Sequence, residues 1–242
     1  MAVGRYDRQI LLPEIGVAGQ ARLNAASALV VGCGGLGSTL LYCLSGIGIG
    51  RIGFCDGDVV SESNLNRQFL HTPADIGRSK TQSAFEKLSA FAPELSFEPF
   101  NLYFTEENGA AIVSKFDVVL LAVDSVISRL AVNRACVSLG VPLVDAGVSG
   151  FRGSVFAVRP GKTACLACFY AETSSLDEPV PSFAPVVSAV ASLEAQCGAN
   201  ILLDLPNPTD GKLLFLDAAS MTTDLVPIAK TETCPVCGKI RM

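Results

Sequence analysis

Two Cys-x-x-Cys pairs, Cys165/Cys168 and Cys234/Cys237, stand about 65 residues apart. Thiolates three positions apart on a tight turn can fill two corners of a tetrahedron. Two such turns close a structural Zn²⁺ site with no open coordination position. A closed Cys₄ site pins the tail onto the middle of the chain and performs no reaction itself. The reactive chemistry lies nearer the N-terminus. Gly32-Cys33-Gly34-Gly35-Leu36-Gly37 is a Gly-x-Gly-x-x-Gly that follows an apolar run, Ala28 to Gly32, and opens an apolar helix to about Gly48. In that context Gly32 permits a tight turn, Gly34 lets backbone amides approach a phosphate, and Gly37 allows close helix–strand contact. Asp56 ends the next apolar run 19 residues beyond Gly37, where a carboxylate can accept hydrogen bonds from ribose hydroxyls. On these residues alone the chain reads as an NAD-dependent oxidoreductase; a glycine turn that merely packs a helix on a strand is the plainer alternative.

The segment after Asp56 changes that reading. It runs Asp56-Gly-Asp58-Val-Val-Ser-Glu-Ser63-Asn64-Leu65-Asn66-Arg67-Gln68-Phe69. A nicotinamide site has no need of a loop dense in Asp, Asn and Arg beside the phosphates. A triphosphate does, because its charge must be neutralised and its α-phosphorus left open to attack. Here the chain resembles the E1-like activating superfamily and, within it, the ThiF/MoeB-type adenylyltransferases. The likeness covers nearly the whole length. It takes in Arg5-Tyr6-Asp7-Arg8-Gln9-Ile10, the glycine loop, Ser63-Asn64-Leu65-Asn66-Arg67-Gln68, the Gly77-x-x-Lys80 step, Asp124 and both cysteine pairs.

The resemblance implies ATP-dependent adenylation of a C-terminal glycine carboxylate. The carrier of that glycine would be a small ubiquitin-like sulfur-carrier protein ending in Gly-Gly, in a sulfur-transfer pathway for thiamin or molybdopterin. Carried onto matching positions, Gly32, Gly34, Gly35 and Gly37 form the phosphate loop, with Gly34 and Gly35 against the phosphates. Asp56 holds the ribose, and Asp58 and Ser63 join the nucleotide-binding set. Asn64 and Arg67 grip phosphate oxygens, Lys80 steadies charge at the α-phosphate, and Asp124 coordinates Mg²⁺. Arg8 is the arginine supplied across a homodimer interface. The attacking carboxylate is already ionised, so catalysis can be positioning plus electrostatic stabilisation without a general base. Many relatives carry a cysteine in the crossover for thioester or persulfide chemistry, but Phe169 to Pro185 contains none. Any sulfur donor is then a separate sulfurtransferase, and adenylation of a small-molecule or peptide carboxylate becomes an adjacent alternative. Cys197 reads as a packed thiol, as do Cys33, Cys43, Cys55 and Cys136.

Taken singly, each residue also has a plainer reading. Arg67 fits a solvated surface charge, and Lys80 a cation at a helix start. Asp124-Ser125 could cap the following helix. Arg8 could pair with Asp7 or Glu14. His71 reads as structural, not as a base.

The elements that must position these residues follow the α/β alternation of a Rossmann-like doubly wound sheet. Parallel strands fall at 28–32, 51–56, 95–101, 116–123 and 142–145, those at 28–32 and 116–123 reading as buried, with helices at about 17–25, from the glycine loop to about 48, 79–91 and 126–139. Past Gly147 the pattern changes to antiparallel strands at 152–158 and 213–217 around a helix at 186–203. We read residues 1–242 as a single adenylation domain. Its nucleotide-binding half is 1–147, and 148–242 forms a carrier-binding half closed by zinc. Half the residues are hydrophobic and 17% are charged, with a net charge of −5. That balance argues against nucleic-acid or membrane-surface binding. No signal-peptide run or apolar stretch of membrane-spanning length is expected. Nine cysteines without such a signal point to a reducing compartment, the cytoplasm.

Overall fold

The computed structural model describes residues 4–170 and 180–238. Two helices, α1 (Asp7–Ile10) and α2 (Gly16–Ala25), lead into β1 (Ser27–Val31). Then come α3 (Gly35–Ile47), β2 (Arg51–Cys55), α4 (Lys80–Phe91), β3 (Ser96–Phe100), α5 (Glu106–Val113), β4 (Val118–Leu121), α6 (Val126–Leu139) and β5 (Leu143–Ser149). The second half holds β6 (Arg152–Val158), α7 (Ala184–Leu203), β7 (Lys212–Asp217) and β8 (Thr222–Pro227). All eight strands form one sheet in the order β3-β2-β1-β4-β5-β6-β7-β8. The first five pair parallel, and β5 through β8 pair antiparallel. This is the expected architecture. Three elements are additions: the one-turn helix α1, α5, whose Gly109 and short span hide it in the sequence, and the exposed edge strand β8.

The strand period of two sorts the core into two faces. Ala28, Val30, Val118, Leu120, Val144 and Ala146 pack with α3, α4 and α7 on one side. Leu29, Val31, Val119, Leu121 and Leu143 point the other way, towards α5, α6 and the four paired cysteines. Burial on both faces explains why these strands are near-continuous runs of Val and Leu instead of alternating patterns. Strand order reverses between β1 and β4, so a crevice opens beyond their C-terminal ends, where an open α/β sheet takes its ligand.

The helix α7 corrects one expectation. Its 20 residues are long and apolar enough to cross a membrane by length and composition. Here it lies against β4, β5, β6 and α3, with 61% of its apolar window buried. It is the central helix of one face, and its Glu194 is fully buried.

Candidate active site

The glycine loop turns β1 into α3 across the mouth of that crevice. Gly32 has φ of +105°, and a Cβ there would stand 2.4 Å from the Ala122 carbonyl oxygen. A Cβ on Gly37 would stand 2.0 Å from the Gly32 carbonyl oxygen, so the first turn of α3 rests directly on the loop. Glycine is therefore required at both positions by space, and at Gly32 by backbone conformation as well. A cleft of about 490 Å³ opens in front of the loop. Among the residues named from the sequence, its walls include Gly32, Gly34, Gly35, Asp56, Asp58, Arg67, Lys80 and Asp124.

Asp56 at the end of β2 ties the loop down. One carboxylate oxygen accepts the Cys33 amide and the other the Asp58 amide, both at 2.8 Å. An ionised carboxylate offers about four lone-pair sites, so acceptor capacity remains for a ligand hydroxyl. Lys80 is the first residue of α4, but it is no solvated cation. It is 6% exposed, with Nζ 2.8 Å from Asp58 and 3.9 Å from Asp56. Burial alone would raise the Asp58 pKa; donors from Lys80 and from the Tyr103 hydroxyl, at 2.7 Å, outweigh it and lower the pKa. Arg67 donates from Nη1 to the Ser63 carbonyl and to Asn66 Oδ1, at 2.9 and 3.0 Å. Among the described residues no carboxylate neutralises it.

Asp124 lies beyond β4 at the far wall. Ser125, not Asp124, caps α6, accepting the Ser128 amide at 3.4 Å. Among the described residues no donor occupies the Asp124 carboxylate. A hard, unpaired carboxylate beside a phosphate-sized cleft suits Mg²⁺, which takes one or two carboxylates and completes its shell with water and phosphate.

Besides Gly37, which packs against the loop itself, three expected residues do not reach the cleft wall. Asn64 turns its side-chain oxygen to the Ser61 amide at 3.1 Å, and the Ser63 hydroxyl meets that of Ser61 at 3.0 Å. Both shape the turn that presents Arg67. Arg8 is exposed on α1 and outside its own chain's cleft, with neither Asp7 nor Glu14 as an ion-pair partner. His71 is buried and structural. Its Nε2–H donates to the Cys33 carbonyl at 3.1 Å, while Nδ1 accepts from Ser83 at 2.9 Å. Burial lowers its pKa and keeps it neutral.

The paired cysteines converge on the opposite face. The four sulfurs lie within 4.8 Å of one another, with Cys165–Cys234 at 3.7 Å and Cys168–Cys237 at 3.4 Å. A tetrahedron of sulfurs about 2.3 Å from zinc has edges of about 3.8 Å, so the set fits Zn²⁺. These distances are far too long for disulfides, whose sulfurs stand about 2.05 Å apart. Burial pushes the Cys234 thiol up, but amide donors from Cys237 and Val236 outweigh it and bring the pKa down to about 7. Asn133 of α6 supports the first turn by accepting the Leu166 amide at 3.0 Å.

Comparison with known proteins identifies the family. Residues 6–236 match the ThiF family. The chain belongs to the ThiF family. Relatives include the SAMP-activating enzyme E1 of Haloferax volcanii, 34% identical over 97% of this chain and 88% of its own. The sulfur carrier protein adenylyltransferase of Thermus thermophilus is 37% identical over 97% of this chain and 90% of its own. Among solved structures, E. coli MccB with ATP is 25% identical, with a TM-score of 0.84, over 97% of this chain and 74% of that one.

Within this ThiF-family fold, sequence reasoning missed two features of the cleft and its surroundings. Gln68 and Tyr103 line the cleft beside the expected residues. Behind Asp124 lies a buried polar cluster. Arg129 of α6 is 6% exposed and pairs with Asp145 of β5, whose second oxygen accepts the Tyr170 hydroxyl at 3.3 Å. Glu194 adjoins it, fully buried beside the Leu121 amide, with no side-chain hydrogen-bond partner among the described residues. Burial and the Asp145 charge hold its pKa well above the usual carboxylate range, against the pull of Arg129. Nothing in the spacing of these residues marks them, since they come from three separate elements and the segment after Cys168.

Proposed function

We propose that this chain binds ATP with Mg²⁺ in the cleft and adenylates the C-terminal glycine carboxylate of a small ubiquitin-like sulfur-carrier protein, releasing pyrophosphate. One observation carries the reading. Arg67, without a counter-ion among the described residues, and buried Lys80 share a cleft with a glycine loop, and an unbonded Asp124 stands at its far wall. The names of the relatives point the same way: E. coli enzymes called sulfur carrier protein ThiS adenylyltransferase and molybdopterin-synthase adenylyltransferase are 32% and 31% identical.

In this reading Gly34 and Gly35 let backbone amides meet the phosphates, and Asp56 accepts a ribose hydroxyl. Lys80 exchanges the half-exposed Asp58 for a phosphate oxygen. Arg67 stabilises charge that builds as the carboxylate attacks the α-phosphorus. Asp124 would hold Mg²⁺, which supplies charge neutralisation for the leaving pyrophosphate. The carboxylate oxygen forms its bond to phosphorus as the bond to pyrophosphate breaks, and no proton moves. Removing one stabilising donor costs on the order of 10²–10³ in rate. Cys165, Cys168, Cys234 and Cys237 would hold Zn²⁺, which would tie 165–168 to 234–237.

The carrier half is 148–242. Phe151 and Phe183 are both more than half exposed, with rings 5.5 Å apart, next to Ser182 on the cleft wall. They offer an apolar landing for a carrier tail. A homodimer brings Arg8 to the partner's cleft, and the five unpaired thiols suit a reducing compartment, the cytoplasm. A peptide carboxylate as substrate is the second reading. It is favoured by the absence of cysteine from 169–185.

Pyrophosphate exchange into ATP separates these readings. Exchange that depends on an added carrier ending in Gly-Gly supports the first. Exchange with a peptide and no carrier supports the second. ATP binding without exchange under either condition refutes adenylation.

A further inference from the structure

The ladder between β4 and β5 ends at the pair Leu121↔Asp145. Beyond it β5 continues to Ser149 alongside β6, while the chain leaving β4 turns away towards Asp124 and α6. The carbonyls just past the split, those of Val123 and Ala146, lose their cross-strand donors at the point where the cleft begins. One side chain supplies both. Arg129 donates from Nη1 to the Ala146 carbonyl at 2.8 Å and from Nη2 to the Val123 carbonyl, while Asp145 balances its charge. Val123 is the residue directly before Asp124. On the other side of Asp124, Ser125 is held as the cap of α6. The Asp124 backbone is thus fixed from both flanks, and its carboxylate is left without a protein donor among the described residues.

We infer that Arg129 is the positioning residue of the Asp124 carboxylate: by bridging the splayed ends of β4 and β5 it sets where that carboxylate presents itself to a divalent cation. The inference rests on the ATP–Mg²⁺ reading of the cleft. Lysine cannot take its place. A lysine ammonium is a compact point charge, whereas the planar guanidinium reaches a carboxylate and two carbonyls in fixed directions. A supporting contact of this kind typically changes metal affinity by 10-fold to 100-fold.

The test measures cation binding rather than turnover. Mn²⁺ is titrated into full-length protein loaded with a non-hydrolysable ATP analogue and followed by electron paramagnetic resonance. The metal-free affinity for the analogue is measured separately by calorimetry. Arg129→Lys should weaken Mn²⁺ binding by roughly 10-fold or more and leave the metal-free nucleotide affinity within about 2-fold. If Arg129→Lys does not fold, Arg129→Met combined with Asp145→Asn removes both buried charges together. Such a paired removal is often close to neutral for stability, and the same loss of Mn²⁺ affinity is expected. Unchanged Mn²⁺ affinity in the folded variant overturns the inference, as does an equal loss of metal and nucleotide affinity, which marks a general loosening. A wild-type protein that takes up neither nucleotide nor Mn²⁺ refutes the cleft reading itself, and the inference with it.

Discussion

Asp124 and Arg67 are the two side chains whose removal separates chemistry from folding. Asp124 makes no hydrogen bond among the described residues, and Arg67 meets only its own turn, so truncating either leaves no buried group unsatisfied. Asp124→Ala and Arg67→Ala should each lower pyrophosphate exchange by at least ~10²-fold while the thermal midpoint stays close to wild type. Near-wild-type exchange in both would remove their assigned roles. Glu194 is the opposite kind of residue, silent in chemistry and costly in folding. The native state keeps a proton there that the unfolded chain releases, because burial raises the native pKa. Stability is therefore lost as pH rises from the ordinary carboxylate range towards the raised value, by up to about 1.4 kcal/mol per pH unit. Glu194→Gln keeps the shape and stays neutral, so its stability advantage should widen from about pH 5 upward, as read in urea midpoints; a constant gap would contradict a protonated Glu194. The sequence displayed the cleft residues because phosphate chemistry demands particular types at particular offsets from a glycine loop. It hid Arg129, Asp145 and Glu194 because a charged residue in a helix or strand is ordinarily solvated, and only three-dimensional packing shows otherwise.

The glycine loop and the cysteine turns do their work as elements. Gly37→Ala would drive a methyl group against the Gly32 carbonyl oxygen, which a Cβ approaches to 2.0 Å. Since the contact is backbone, nothing can rotate aside. A destabilisation of ~1–3 kcal/mol together with weaker nucleotide binding is expected, and wild-type calorimetry would show that the loop is looser than described. Cys165→Ser should release the metal, measured by a zinc-sensitive dye, and lower the thermal midpoint, because Cys165 is fully buried among the α6-side core. A variant equally stable and already metal-free would rule out a structural site. Most strands were legible as runs of Val and Leu, since both faces of a doubly wound sheet are buried. The strand β8 was not, because its six residues are all exposed and end in Pro227. Nor was α5, where Thr105 and Asn108 form a capping box that a short glycine-containing helix makes easy to overlook.

The molecule as a whole folds its reading frame back on itself, and two consequences follow at that scale. Arg8 lies outside its own cleft, so catalysis that needs it must draw it from another copy. Mixing inactive Arg8→Ala with inactive Asp124→Ala chains should restore part of the exchange activity, through mixed dimers that assemble one intact cleft. No recovery would place Arg8 outside the reaction or confine it to its own subunit. The overall architecture was legible because strand–helix alternation dictates a parallel sheet; the assignment of Arg8 to another copy came only from the family resemblance, because one chain's residue pattern carries no record of its neighbour. The second consequence concerns biosynthesis. The facing thiols are 69 positions apart, Cys165 opposite Cys234 and Cys168 opposite Cys237. At about 5–20 residues per second on the ribosome, the first pair waits roughly 3–14 s for the second. During that interval the nascent polypeptide carries a bare dithiol, with only half of the four-sulfur set in place.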